Sequence, residues 1–253
     1  MKRLISLLVC LCISGGAFSQ TQVIAHRGFH AINNSYDNTI SSLKNAQELG
    51  VYGSEVDINE TKDGHLIAIH GARHREIPNV QKATFEQIRS LPLKNGEIVP
   101  TLEEYLAQAK ECKTTKLIIE VKSHATPEQE LRVVQNILAT VKKYKMRKRV
   151  EYIAFSKYVC DALVEYAPKR TKIAYLNGNL TPAQCHELGY TGIDYNLNTL
   201  KKHPEWIEQC HNLGMTVNVW TVNDTATMQW FIQQGVDYIT TDNPLELNRL
   251  LGK

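Results

Sequence analysis

The fold is decided by Ile24-Ala25-His26-Arg27-Gly28, Gly53-Ser54-Glu55-Val56-Asp57-Ile58 and Leu66-Ile67-Ala68-Ile69-His70-Gly71, three short β-type runs that open the chain after residue 20. In the middle run, side chains alternate between faces, so Glu55 and Asp57 share one face and Val56 and Ile58 the other. Two acids on one face of a buried-looking strand repel each other and lose hydration, and a cation between them relieves both penalties. That spacing alone also suits an exposed strand face. It gains weight from His26, Arg27 and His70 on the neighbouring runs.

Outward from this stretch, strand patterns at Lys116–Val121, Glu151–Phe155, Lys172–Leu176, Gly192–Tyr195, Thr216–Trp220 and Asp237–Thr240 alternate with helical ones. Helical periodicity marks Thr39–Leu49, Leu102–Cys112, Pro127–Tyr144, Lys157–Tyr166, Pro182–Leu188, His203–Leu213, Ala226–Gln234 and Pro244–Leu251. Thr126-Pro127 and Thr181-Pro182 are helix starts, and Gly50, Gly189, Gly214 and Gly235 follow helix ends. Sustained alternation implies a parallel sheet covered by helices, and its repeat predicts an α/β fold of the (β/α)₈, TIM-barrel type. The stretch Asn59–His65 is too short for a crossover helix, so Leu66–His70 reads as the return arm of a turn through Lys62-Asp63-Gly64. Residues 71–100, with Pro78, Pro92, Asn95-Gly96 and Pro100, read as a small insertion over one end of a single domain spanning residues 20–253.

Lys2-Arg3, the apolar run Leu4–Ile13 and Ala17-Phe18-Ser19 have the form of an export signal over residues 1–19, cleaved before Gln20. The run is too short for an ordinary membrane span, and no second one follows, so no stable membrane insertion is expected. A lipoprotein signal at Cys10 or Cys12 fits less well, because neither follows a small residue. The expected location is periplasmic or secreted. Loss of Lys2 and Arg3 takes the formal charge from +3 to +1, which gives no support for a nucleic-acid partner. The basic run from Lys142 to Arg149 closes a helical pattern, where cations meet the negative end of the helix dipole. Cys112, Cys160, Cys185 and Cys210 are widely spaced without a CxxC pair, as for free thiols, although export permits a bridge. Nothing in the pattern specifies an oligomeric state.

In such a barrel, function gathers at the strand C-terminal ends. His26-Arg27, Glu55, Asp57, Glu120, Lys122 and Trp220 all fall at or near those ends. Glu55, Asp57 and Glu120 are candidate ligands for a divalent cation, Ca²⁺ or Mg²⁺, which both prefer oxygen; a Glu–Lys network inside the barrel is the structural alternative. His26 and His70 form a candidate acid/base pair for phosphodiester cleavage, Arg27 a fork for phosphate oxygens and Lys122 a point charge. Either histidine could instead simply satisfy buried backbone groups.

The chain resembles the glycerophosphodiester phosphodiesterase family at Ala25-His26-Arg27-Gly28, Asp37-Asn38-Thr39, Glu55-Val56-Asp57, Thr61-Lys62-Asp63-Gly64 and Ile69-His70. The resemblance continues through Pro100-Thr101-Leu102-Glu103-Glu104, Ile119-Glu120-Val121-Lys122, Val219-Trp220-Thr221-Val222-Asn223 and Thr241-Asp242-Asn243-Pro244. It implies a barrel with an insertion, a divalent metal, and hydrolysis of a small glycerophosphodiester to glycerol phosphate and an alcohol. By position it makes His26 and His70 catalytic and Glu55, Asp57 and Glu120 metal ligands. Arg27 and Lys122 become phosphate contacts, Trp220 packs against the glycerol part, and Asn38 orients the loop after His26. The family usually has Glu where Asp37 stands and His-Asp where this chain has His70-Gly71, which bears on the substrate more than on the reaction. Other readings are a non-catalytic phosphate-binding barrel, a phosphodiesterase for another polyol diester, or a glycosidase built on Glu55 and Glu120. The glycosidase leaves His26, His70 and Arg27 without a role.

Overall fold

Strand β2 (Gly53–Glu60) is buried along its whole length. It pairs in parallel with β1 (Gln22–Ala25) on one side and β4 (Lys116–Val121) on the other. This computed structural model describes residues 20–253; the expected export signal, residues 1–19, lies outside them. After β4 come β5 (Val150–Ala154), β6 (Ile173–Tyr175), β7 (Gly192–Asn196), β8 (Thr216–Trp220) and β9 (Tyr238–Thr241), each parallel to its neighbour, and β9 returns to β1. Eight parallel strands therefore close a ring. Strand β3 (Leu66–Ala68) stays outside it, antiparallel to β2 with Ile58 opposite Ala68, as the short connection requires.

The helices cover the outside of the ring: α1 (Ile40–Leu49), α3 (Leu102–Glu111), α4 (Pro127–Lys143), α5 (Lys157–Tyr166), α6 (Pro182–Glu187), α7 (Leu197–Lys202), α8 (Glu205–Asn212), α9 (Thr225–Gln234) and α10 (Pro244–Leu250), with the short α2 (Phe85–Arg89) in the 71–100 region. Thr39 and Ser42, Thr101 and Glu104, and Thr181 and Gln184 form reciprocal capping boxes, and each such Thr cap contributes about 1 kcal/mol. The outward faces of the strands, such as Val56, Ile58, Ile119 and Val121, pack under these helices in one continuous core.

Inside the ring, Ile24, Ile118 and Ile153 form an apolar plug. Gly53 makes room for it, since a Cβ there would stand 2.9 Å from Ile118 Cγ1. Beneath the plug, Glu151 accepts from the Tyr52 hydroxyl and Lys116, each at 2.6 Å. The barrel interior is thus sealed at its N-terminal end and open at its C-terminal end.

Three details differ from expectation. Strand β3 ends at Ala68, because the Ile69 N–H turns to the Asp57 carbonyl (2.9 Å), and His70 stands beyond the strand. The helix expected over His203–Leu213 begins at Glu205, since Pro204 offers no N–H to continue a helix. Helix α7, where no helical pattern is expected, precedes it, capped by the Asn196 side chain on the Asn198 N–H (2.9 Å). Residues 71–100 carry a small core of their own, with Val80, Ile88 and Val99 against Ile67. The thiols of Cys112, Cys160, Cys185 and Cys210 are all free. No helix among the described residues is long and apolar enough to cross a membrane.

Candidate active site

The chain leaves β1 through His26, whose N–H bonds the Thr241 carbonyl (2.9 Å), and then turns sharply. Arg27 has φ 53° and Gly28 φ 80°. The left-handed turn aims the Arg27 N–H at Glu55 Oε2 (2.7 Å). Gly28 lies so close to α1 that a Cβ would fall 2.4 Å from Ser42 Oγ, so a side chain is excluded there. Asn38 is also left-handed, at φ 58°, and its N–H bonds the Arg27 carbonyl (3.0 Å). Its side-chain amide grips Asp57 twice: Nδ2 donates to Asp57 Oδ2 (2.8 Å), and the Asp57 N–H donates to Asn38 Oδ1 (2.9 Å). Two non-glycine residues at positive φ cost about 1–2 kcal/mol each, and these contacts hold both in place.

Register brings the acids together. Asp57 is paired with Glu120 across β2 and β4, and Glu55 lies one turn of the pleat below. Ligand oxygens of Glu55, Asp57 and Glu120 lie within 4.8 Å of one another, and all three residues are buried. Burial holds the Glu55 carboxyl well above the usual range, and the Asp57 and Glu120 charges raise it further. Burial also pushes Glu120 up to about 7, with Asp57 adding to it and Lys122 opposing. Burial acts on Asp57 too, but hydrogen bonding to His70 and the Lys122 charge outweigh it and keep Asp57 below the ordinary carboxylate range. Lys122 Nζ reaches Glu120 Oε1 at 2.5 Å and Asp57 Oδ1 at 3.2 Å. Lys122 and the Arg27 guanidinium are two cations against three acids, which leaves the cluster under-compensated: among the described residues, buried Glu55 Oε1 has no hydrogen-bond partner. An all-oxygen donor set with an orphaned carboxylate oxygen fits a hard divalent cation.

The two histidines flank this cluster in similar ways. His26 Nδ1 lies 2.7 Å from Asp242 Oδ1, and His70 Nδ1 lies 3.1 Å from Asp57 Oδ1. With Nδ1–H donating to a carboxylate, a neutral imidazole keeps Nε2 as its acceptor. Asp242 is itself braced by Asn223, whose Nδ2 donates to Oδ2 (2.7 Å), and it is approached by His30 Nε2 at 3.3 Å. These hydrogen bonds, led by His26, overcome partial burial and keep the Asp242 carboxyl below its ordinary range. The Arg27 guanidinium spans Asp57, through Nε, and Asp37, through Nη1, each at 3.5 Å; Nε is buried and, among the described residues, makes an ion-pair contact but no hydrogen bond.

His26, Arg27, His70, Glu55 and Glu120 line one side of a cavity of about 380 Å³. Ile153, Phe155, Leu176 and Trp220 supply its apolar side. Phe155 meets Trp220 edge-on at 5.6 Å, and the Trp220 Nε1–H donates to the Asp194 carbonyl (2.9 Å), which fixes the indole. The structure therefore gathers His26, Arg27, Glu55, His70, Glu120 and Trp220 around one space. Asp57 and Lys122 stand just behind that wall. A second cavity, of about 300 Å³, opens on the other side of His70 beside Gly71, Arg73 and Lys94.

Sequence reading missed two groups, Asp242 and Asp194, and part of the role of a third, Asn38. Asn38 holds Asp57 as well as the loop after His26. Asp242 holds His26, and its signal was the Thr241-Asp242-Asn243-Pro244 motif at the end of the last strand. Asp194 also lines the cavity. An acid two residues beyond Gly192 on a short strand was the clue to it.

The model of the glycerophosphoryl diester phosphodiesterase family matches residues 26–246, from the first site histidine to the last helix. The chain belongs to that family. A glycerophosphodiester phosphodiesterase of Caldanaerobacter subterraneus subsp. tengcongensis is 31% identical over 248 residues, covering 92% of this chain and 99% of the relative. The crystal structure of a glycerophosphodiester phosphodiesterase from Parabacteroides distasonis is 43% identical, with a TM-score of 0.90 over 92% of this chain and 97% of its own. A phosphodiesterase of Oleispira antarctica, solved with the product sn-glycerol-3-phosphate, shares the fold at a TM-score of 0.81 and 17% identity, covering 92% of this chain and 98% of its own. The chain is thus a phosphodiesterase of this family on a (β/α)₈ barrel.

Proposed function

We propose that this phosphodiesterase hydrolyses glycerophosphodiesters to glycerol phosphate and an alcohol, with His26 and His70 as acid/base pair and a divalent ion, Ca²⁺ or Mg²⁺, at Glu55, Asp57 and Glu120. The observation that carries the reading is the placement of two imidazoles, each anchored through Nδ1 to a carboxylate, on the rim of one cavity that also borders the three-acid cluster. When bound, such an ion offsets negative charge on the phosphoryl oxygens.

The chain's own groups do the rest. One imidazole accepts a proton at Nε2 from the attacking oxygen while the other delivers one to the leaving oxygen, whether the attacker is a glycerol hydroxyl or water. Arg27 presents its fork to the nonbridging oxygens, with Asp37 and Asp57 holding the guanidinium. Lys122 contributes positive charge from beside Asp57 and Glu120. Trp220 and Phe155 pack against the three-carbon skeleton of glycerol. The product bound to the Oleispira antarctica protein supports a small-molecule substrate of this kind.

Lys2-Arg3, Leu4–Ile13 and Ala17-Phe18-Ser19 support export, with the mature enzyme as one barrel domain from residue 20 onward, periplasmic or secreted. The function is tested by incubating the protein with glycerophosphocholine, glycerophosphoethanolamine and glycerophosphoinositol, with and without chelator, and measuring sn-glycerol-3-phosphate enzymatically. Release that stops on chelation and resumes with Mg²⁺ or Ca²⁺ is expected. Absence of release from all three diesters under both ions contradicts the reading.

A further inference from the structure

Asp194 is the buried acid of the cavity that the acid/base scheme leaves without a role. It stands on β7 with 1% of its surface exposed, and among the described residues its Oδ1 has no hydrogen-bond partner. Its strand neighbour Asn218 donates from Nδ2 to Thr240 Oγ1 at 2.9 Å and also acts on the Asp194 carboxyl, but it leaves Oδ1 open. An unsatisfied buried carboxyl oxygen is costly in a folded chain, and it persists at sites where a ligand supplies the missing partner.

The surroundings define that partner. Asp194 lines the same cavity as His26, His70 and Glu120, and its backbone carbonyl anchors the Trp220 indole (2.9 Å). It lies deeper than the catalytic rim: its register partner is Asn218, two residues before Trp220 at the end of β8. A group reaching it must be small and polar, carried on a carbon chain that tolerates Trp220, Phe155 and Leu176. Burial pushes the Asp194 carboxyl up to about 8, so near neutral pH it offers both an O–H donor and a carbonyl acceptor, the complement of an alcohol. Head groups vary in size and charge and suit the cavity mouth; glycerol ends in a hydroxyl on a short chain.

We infer that Asp194 binds the terminal hydroxyl of the glycerol moiety and so selects diesters in which that hydroxyl is free. This rests on the proposed function and adds a specificity-determining residue to it.

The test compares glycerophosphocholine with the phosphocholine diester of propane-1,2-diol, which has the same skeleton without the terminal hydroxyl. Wild type is expected to favour the glycerol substrate in kcat/KM by at least about 10-fold, as for a site built to bond a hydroxyl. Asp194→Leu should bring the two substrates within about threefold of each other, mainly by loss on glycerophosphocholine, whereas Asp194→Asn, which keeps a donor and an acceptor, should retain the preference. Thermal denaturation of both variants checks folding, and the wild-type comparison needs no variant. Equal kcat/KM for the two substrates in wild type, or an unchanged preference in folded Asp194→Leu, overturns this role while leaving the phosphodiesterase reading intact. If wild type cleaves none of glycerophosphocholine, glycerophosphoethanolamine and glycerophosphoinositol, the proposed function fails and this inference falls with it; if it cleaves only one of the other two, the same comparison is made with that head group.

Discussion

Asp242 Oδ1 lies 2.7 Å from His26 Nδ1 across 216 positions of sequence, and the contact joins the end of the last barrel strand to the end of the first. Closure of β9 onto β1, with Ala25 opposite Thr241, sets it. The imidazole that faces the cavity is therefore oriented by the same pairing that closes the barrel. Asp242→Asn preserves shape but gives an amide that no longer demands Nδ1–H. Turnover is expected to fall by about 10- to 100-fold with little change in KM, as for other carboxylates that orient a histidine. Steady-state kinetics on a glycerophosphodiester check this; an unchanged kcat would show that His26 is positioned without Asp242.

Asn38 supplies two hydrogen bonds to Asp57 from a left-handed backbone. Asn38→Ala loses both and puts at positive φ a residue that tolerates it less well than Asn, and should destabilise the protein by about 2–4 kcal/mol. Asn38→Gly loses the same bonds without the backbone penalty and should recover about 1 kcal/mol of that. Urea denaturation of the two variants separates the contributions. Equal stability of Ala and Gly variants would place the whole effect in the amide.

The acid cluster makes a signed prediction for protein stripped of divalent ions. Glu120 goes from an ordinary value near 4.5 to about 7 in the fold, and Glu55 is raised as well. Between those values the folded chain holds a proton that the unfolded chain has released, so stability present below pH 4.5 is lost as pH rises through 7. The melting temperature of chelated protein should fall across that window, and added Mg²⁺ or Ca²⁺ should reverse the fall. Glu55→Gln should melt higher than wild type in chelator and respond less to either ion. A melting temperature that rises from pH 5 to 7 in chelator would contradict this account of the cluster.

Gly71 stands where the family resemblance leads one to expect Asp. A Cβ there meets nothing closer than the Arg73 backbone at 3.8 Å, so the added side chain fits. His70 already has a carboxylate in Asp57 (3.1 Å), which takes over the orienting role that the sequence left open. Gly71→Asp should therefore stay within about 0.5 kcal/mol of wild-type stability. It should instead act on the cavity beside Arg73 and Lys94, lowering kcat/KM for glycerophosphoinositol relative to glycerophosphocholine. A panel of diesters tests this, and an unchanged ranking would remove Gly71 from specificity.

The barrel was legible because its signals are local. Val56 and Ile58 alternate with Glu55 and Asp57, and several units carry a Thr-led cap, as at Thr39, Thr101, Thr126 and Thr181, or a terminal glycine, as at Gly50 and Gly235. The three acids were legible for the same reason, since period two places them on inward faces at strand ends. Helix α7 was hidden because Asn196 caps through its side chain in a stretch rich in asparagine. The Asp242–His26 and Asn38–Asp57 contacts were hidden because ring closure and one left-handed turn create them, and neither leaves a periodic trace. Asp194 fell between these cases: its strand was visible, but its isolation inside the barrel depends on what the facing strands offer.

The proposed function joins, in one cavity, a divalent site at Glu55, Asp57 and Glu120 to the His26/His70 pair. Its most direct measurement is a parallel titration of wild type, Glu55→Gln and His70→Ala with Mg²⁺ and Ca²⁺, following ion binding by calorimetry and sn-glycerol-3-phosphate release from glycerophosphodiesters in the same samples. Glu55→Gln is expected to lose binding and release together. His70→Ala is expected to keep binding while turnover drops by about 10²–10⁴, the usual contribution of a general acid or base. Full release by chelated wild type, or ion binding undiminished in Glu55→Gln, would contradict the proposed function.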